Sequence, residues 1–225
     1  MTFDEIKQLY ETTGPVGIKL CAHDINLNHM LYGICRDIPD ALPYLNHTVS
    51  AWSVVMYSEP KFASLCPILD QFTSNDWSVI VGLAPANGSI CPWDKLTGAS
   101  YVGIVIRQPQ FLKDEYLHKL DKGDWLQLLR NLPDLSNDPK IPWADFTGYD
   151  WYNLIDMQPR FHGRCEWLKL TAYHWSWLLD AKDKHFATLL HHFRALPVSR
   201  IAELCKAEPT LEKYKQQKTK KKKNT

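Results

Sequence analysis

Histidine is the residue type whose placement most invites a chemical reading. His185, His191 and His192 stand close together, with His174 eleven residues before His185. His185 and His192 are seven apart, so a helix would put them on one face, where Asp180 or Asp183 would complete a metal site. Paired carboxylates also occur as Asp37/Asp40, with no partner in view. Cys21, Cys35, Cys66, Cys91, Cys165 and Cys205 supply thiols, yet no C-x-x-C pair is present, so the usual zinc spacing is missing. Gly-rich phosphate loops, G-x-S-x-G and H-E-x-x-H are absent as well. The expectation is a chain that is not an enzyme and needs no cofactor. An enzyme or metal site around His185/His192 is kept as an alternative.

Charge suggests a second chemistry. Residues 206–225 hold eight lysines against Glu208 and Glu212, a net of +6, which leaves residues 1–205 at about −5 within the overall +1. The run Lys220, Lys221, Lys222 and Lys223 would add salt-sensitive affinity for phosphate, and aromatic side chains can stack on bases. Nucleic-acid binding through this tail is therefore a second alternative. Apolar residues thin out from Lys206, so 206–225 is expected to be a disordered tail.

Nine tryptophans call for an element that places them. Trp52, Trp77, Tyr101, Trp125, Trp151 and Trp175 are separated by 25, 24, 24, 26 and 24 residues. Four before each aromatic stands Thr48, Thr73, Thr97, Asp121, Thr147 or Thr171. Five before it, from the second copy on, stands Phe72, Leu96, Leu120, Phe146 or Leu170. Large apolar pairs follow at three and four, from Val55–Met56 to Leu178–Leu179, and Pro60, Pro85, Pro109, Pro133 and Pro159 stand at eight. Phe62, Phe111 and Phe161 come two after the proline, and Cys66, Cys91 and Cys165 recur at fourteen after the aromatic. A further tryptophan column holds Trp93, Trp143 and Trp167.

Each column has a physical meaning. Thr or Asp is an N-cap, whose oxygen accepts an orphan N–H of the first turn. With Thr147 as cap, Asp150 becomes N3, Phe146 becomes N′ and Trp151 becomes N4, the positions of a capping box and a hydrophobic staple. The later apolar pair extends one helical face, and the proline pushes the residue before it out of the helix. Cysteines at one repeat position pack as small hydrophobes, since one nucleophile is not needed three times. A unit this short cannot bury its own apolar face, so units must stack.

The expected fold is mainly α, a short-helix tandem-repeat solenoid with atypical capping ends. Residues 1–44 would form an N-terminal cap, with an amphipathic helix over 3–12 and a degenerate copy over 22–43, in which Met30 stands 22 before Trp52 and Pro39 nine after Met30. About six repeats would fill 45–193 and a capping helix 194–205. Because Asp183 replaces the proline, Trp175–Leu196 is expected to run on as one long helix.

The unit resembles a tandem repeat of uncharacterised bacterial proteins, approximately L-x-G-x-D-W-x-x-L-L-x-x-Q-P-x-F-x-x-x-C-x-W. Leu96–Phe111 and Phe146–Trp167 carry the pattern best, and Asn87 and Leu135 depart from it at the phenylalanine. The resemblance implies architecture and no activity.

The leading functional expectation is a non-enzymatic protein-binding repeat module, an adaptor, regulator or immunity-type inhibitor. Its contact residues should be those the repeat does not require, at one, two, five and six after the aromatic. Tyr152, Trp177 and Leu126 are the large examples, joined by Arg107 and Arg130. No apolar run is long enough for a transmembrane helix, so no membrane partner is expected. Six cysteines would allow three disulfides, but the N-terminus MTFDEIKQLYE lacks the apolar stretch of a secretory signal, which with the large apolar content makes a cytoplasmic chain of buried free thiols the expectation.

Overall fold

The computed structural model describes residues 2–13, 25–45, 47–181 and 185–215. Cys21, Asp183 and the lysines at 220–223 lie outside them. The described residues are mainly α, regularly repeated short helices packed in sequence, with no strand among them. They fall into two compact units, Met1–Leu120 and Asp121–Thr225.

The first unit contains α1 (Phe3–Thr13), α2 (Ile25–Asp37), α3 (Val49–Ser58), α4 (Ser74–Leu83) and α5 (Gly98–Arg107). The second contains α6 (Lys122–Asn131), α7 (Gly148–Met157), α8 (Ala172–Asp180), α9 (Phe186–Ala195) and α10 (Val198–Ala207). The helices from α3 to α8 begin as the threonine and aspartate columns require. Thr73, Asp121 and Thr147 accept the N3 backbone N–H while Asp76, Asp124 and Asp150 accept the cap N–H in return. Phe72 lies 5.6 Å from Trp77, and Phe146 lies 5.5 Å from Trp151, ring to ring, as staples.

Each of these helices but α8 is followed by a single residue and then a proline. Glu59, Ala84, Gln108, Leu132 and Gln158 leave the helical region, with φ between −138° and −128°. The proline then leads a 3-10 turn, and in most copies a second, three-residue 3-10 turn follows, begun by Leu69, Trp93, Trp143 or Trp167. These tryptophans cover the next helix's aromatic. Trp143 stacks on Trp151 at 5.5 Å and Trp167 on Trp175 at 5.3 Å. The aromatic column is the core of both units, with Trp52, Trp77, Trp125, Trp151 and Trp175 almost wholly buried.

Four expectations are corrected. In α2 the residue eight before Pro39 is Leu31, buried with Ile34 and Cys35 three and four later, so Leu31 rather than Met30 holds the aromatic column. The segment Trp175–Leu196 is two helices. Ala181 caps α8, the Tyr214 hydroxyl donates to the Leu179 carbonyl, and α9 folds back so that Phe193 meets Trp175 at 5.2 Å. The capping helix is itself a repeat, with Ile201 in the aromatic column, buried Leu204 and Cys205 at three and four, Pro209 at eight and buried Leu211 at ten. Residues 206–215, expected in the tail, complete that copy. Leu211 and Tyr214 fall on its buried positions, and Lys213 pairs with Asp180 at 2.8 Å.

Candidate partner-binding surface

Tyr152 and Trp177, singled out for departing from the repeat, are brought together by α7 and α8. Their ring centroids are 5.6 Å apart. Two tyrosines complete the cluster: Tyr173 meets Trp177 at 4.2 Å, and Tyr149 lies 6.4 Å from Tyr152. Tyr149 is 62% exposed, Tyr173 55% and Trp177 47%, while Tyr152 is half-buried. Three large rings are thus held in water on two adjacent helices.

The repeat explains why they point outward. The position two before the aromatic faces solvent, and holds Ser50, Asn75, Ala99 and Gly123 in earlier copies but Tyr149 and Tyr173 in α7 and α8. Tyr149 and Tyr173 stand before the aromatic, outside the positions after it that the sequence marks as free of the repeat. Their recurrence two before Trp151 and Trp175 was the available signal. Trp177 sits two after its aromatic, where α7 has Asn153 and α6 has Gln127.

His174 anchors the cluster from below. It occupies N3 of α8, where α4, α6 and α7 have Asp, and its Nδ1 accepts the Thr171 backbone N–H at 3.3 Å. Its ring stacks on Tyr152 at 5.4 Å with 10° between planes. Burial pushes its pKa down, in keeping with a neutral ring whose Nδ1 accepts. The Tyr152 hydroxyl is pushed up, first by burial and then by the Asp156 carboxylate and the neighbouring Tyr149 and Tyr173.

Leu126 does not join this surface. It is 7% exposed, because the position one after the aromatic faces the following helix rather than solvent. Ser78 in that column reaches Gly103 of the next copy, Tyr152 underlies His174, and Ser176 meets Thr210 at 3.4 Å. Arg107 belongs to the first unit, where its Cδ lies against Gly82. Arg130 is half-buried in the second unit, and its carbonyl accepts from Gln158. Within the second unit Arg130 is brought to Gln158 rather than to Tyr152 or Trp177.

The histidines form a separate group. Buried His162 has His185 at 5.8 Å and His192 at 6.3 Å, and His192 stacks on Trp167 at 4.3 Å. Among the described residues no three His, Cys, Asp or Glu side chains are arranged to hold a metal ion. His192 and Trp167 instead line a shallow apolar groove with Leu168, Leu196 and Pro197. Cys35, Cys66, Cys91, Cys165 and Cys205 are buried free thiols. Burial pushes Cys35 and Cys66 up to about 11 and Cys91 up to about 12, so they are protonated and poor nucleophiles at neutral pH. The lysines at 220–223, proposed to meet phosphate, lie outside the described residues. No helix among the described residues is long and apolar enough to cross a membrane.

No protein-family model, curated protein or solved structure matches the chain.

Proposed function

We propose that this chain is a non-enzymatic protein-binding repeat module, and that its partner docks on the α7–α8 surface formed by Tyr149, Tyr152, Tyr173 and Trp177. The single observation that carries the reading is the exposure of three large aromatic rings on adjacent helices, at positions the repeat leaves free. Aromatic side chains bury a large apolar area for few frozen torsions, and Tyr and Trp keep a polar edge for orientation, which is why they dominate binding energy where proteins meet. Capping boxes at α7 and α8 hold the platform rigid, so little ordering entropy opposes binding. Buried free thiols favour a cytoplasmic setting, and the repeat columns favour kinship with the bacterial repeat they resemble.

The test is retention of a stoichiometric protein partner on the immobilised full-length chain. A Tyr173→Ala/Trp177→Ala variant with an unchanged circular dichroism spectrum should lose that partner. Equal retention by the variant would dismiss this surface as the docking site.

A further inference from the structure

Ring faces elsewhere in this fold take a cation from the chain itself, on the buried Phe62 and Tyr214 and the half-buried Trp143 and Tyr116. Lys61 Nζ lies 5.0 Å from the centroid of Phe62, Arg164 lies 5.5 Å from that of Trp143, and Lys213 Nζ lies 4.8 Å from that of Tyr214. Tyr116 has two, with Lys113 at 5.9 Å and Lys119 at 5.4 Å. Among the described residues none of these cation contacts falls on Tyr149, Tyr152, Tyr173 or Trp177, although this is the most exposed aromatic cluster. The charged group that bears on Tyr152 is a carboxylate, Asp156, one helical turn further along α7 and exposed. The cluster thus presents negative ring faces beside a negative side chain. Arg200, on the adjacent α10, is turned away to the Leu168 and Leu170 carbonyls at 3.3 and 3.1 Å and to Glu203.

We infer that the α7–α8 surface is a receptor for an arginine side chain carried by an extended basic segment of the protein partner. The inference rests on the protein-binding reading of this surface and goes further by naming the chemistry recognised. A guanidinium fits better than an ammonium. It is flat, weakly hydrated and stacks on Tyr or Trp faces, while its N–H fork can reach a carboxylate. Arg164 over Trp143 is this contact made within the chain. Asp156 supplies the carboxylate, and Trp177 with Tyr173, at 4.2 Å, supplies the ring surface.

Calorimetry with the full-length protein and a short peptide of alternating arginine and glycine tests this. A peptide with citrulline in place of arginine has the same shape without the charge. The arginine peptide should bind at low salt, with the citrulline peptide weaker by about tenfold or more. Trp177→Ala and Tyr173→Ala should each weaken the arginine peptide by about tenfold, and Asp156→Asn should weaken it without changing the fold. Equal binding of the two peptides, or none by the arginine peptide, overturns the inference. If a captured partner still depends on Trp177 in that case, protein binding at this surface stands and only its cationic chemistry falls. A full-length variant with Lys220, Lys221, Lys222 and Lys223 replaced by glutamine adds one more outcome. Tighter peptide binding by that variant would make the chain's own tail the resident cation, and would overturn a separate partner as the occupant.

Discussion

The Gln158 side chain donates through Nε2 to the backbone carbonyl of Arg130, 2.6 Å away in the preceding copy. Gln108 does the same to Gly82 at 3.0 Å. Both glutamines stand just before the proline, and both acceptors stand five after the aromatic of the helix before. Helices leave their last carbonyls without internal partners, and here the next copy supplies one. Gln158→Leu should cost about 1–2 kcal/mol by urea unfolding, the cost of leaving a part-buried carbonyl unmatched. Gln127→Leu, an exposed control on α6, should stay within about 0.5 kcal/mol. Equal effects of the two would remove the glutamine column from the account of stacking.

Gly148 tests how closely successive copies approach. A Cβ added there would collide with the carbonyl oxygen of Lys169, a backbone atom of the next copy with little room to retreat. Gly33, within α2, has nothing within 4 Å of such a Cβ. Replacing glycine by alanine inside a helix ordinarily gains about 0.5–1 kcal/mol. Gly33→Ala should therefore raise the melting temperature, and Gly148→Ala should lower it. A rise for both would mean that the loop before α8 yields without cost.

Trp151→Ala should cost about 3–5 kcal/mol, as for a large aromatic removed from a packed core. Its ring touches Phe146 at 5.5 Å and Trp143 at 5.5 Å and is 1% exposed. Thr147→Ala, which removes only the cap of the same helix, should cost about 1 kcal/mol. Chemical denaturation of both variants gives the ranking. If the threonine change proved the larger, the staple would not be the main support of α7.

What the sequence disclosed was whatever each copy does for itself. Thr147, Asp150, Trp151 and Pro159 act within one helix, so their spacing alone places that helix. Contacts between copies were less legible. Lys119 donates to the Asp94 and Leu96 carbonyls, Lys169 to those of Ala144 and Phe146, and Arg200 to those of Leu168 and Leu170. These acceptors are backbone atoms and leave no mark on residue type. The same gap explains Leu126, assigned to solvent until the next helix was placed over its column. The α10 copy was hidden because Pro197 and Ile201 stand where Thr and Trp stand elsewhere. Of the surface cluster, Tyr152 and Trp177 were found as departures from the repeat, and Tyr149 and Tyr173 only when the outward face of the helix start was known.

Acid should destabilise the fold through its neutral histidines. His47 lies within hydrogen-bond reach of the Leu42 carbonyl through Nε2 at 2.7 Å and accepts the Trp52 indole N–H on Nδ1 at 2.9 Å, so a second proton would break one of these bonds. His174 accepts the Thr171 N–H on Nδ1, and His192 stacks on Trp167 beside His191. All three pKa values are pushed below the ordinary 6.5, chiefly by burial, with His191 adding to the effect at His192. A histidine with a depressed folded pKa binds its proton more readily when unfolded, so stability rises with pH between the folded and unfolded values. The stability is complete above about 6.5 and is lost as pH falls from there through the folded pKa. Thermal melts at neutral and mildly acidic pH should show this loss. His174→Asp restores the N3 residue found in α4, α6 and α7, an acceptor that stays anionic over the same range, and should lose less on acidification. A variant that loses as much as the natural chain would assign the acid response to His47 and His192, leaving the α8 cap out of it.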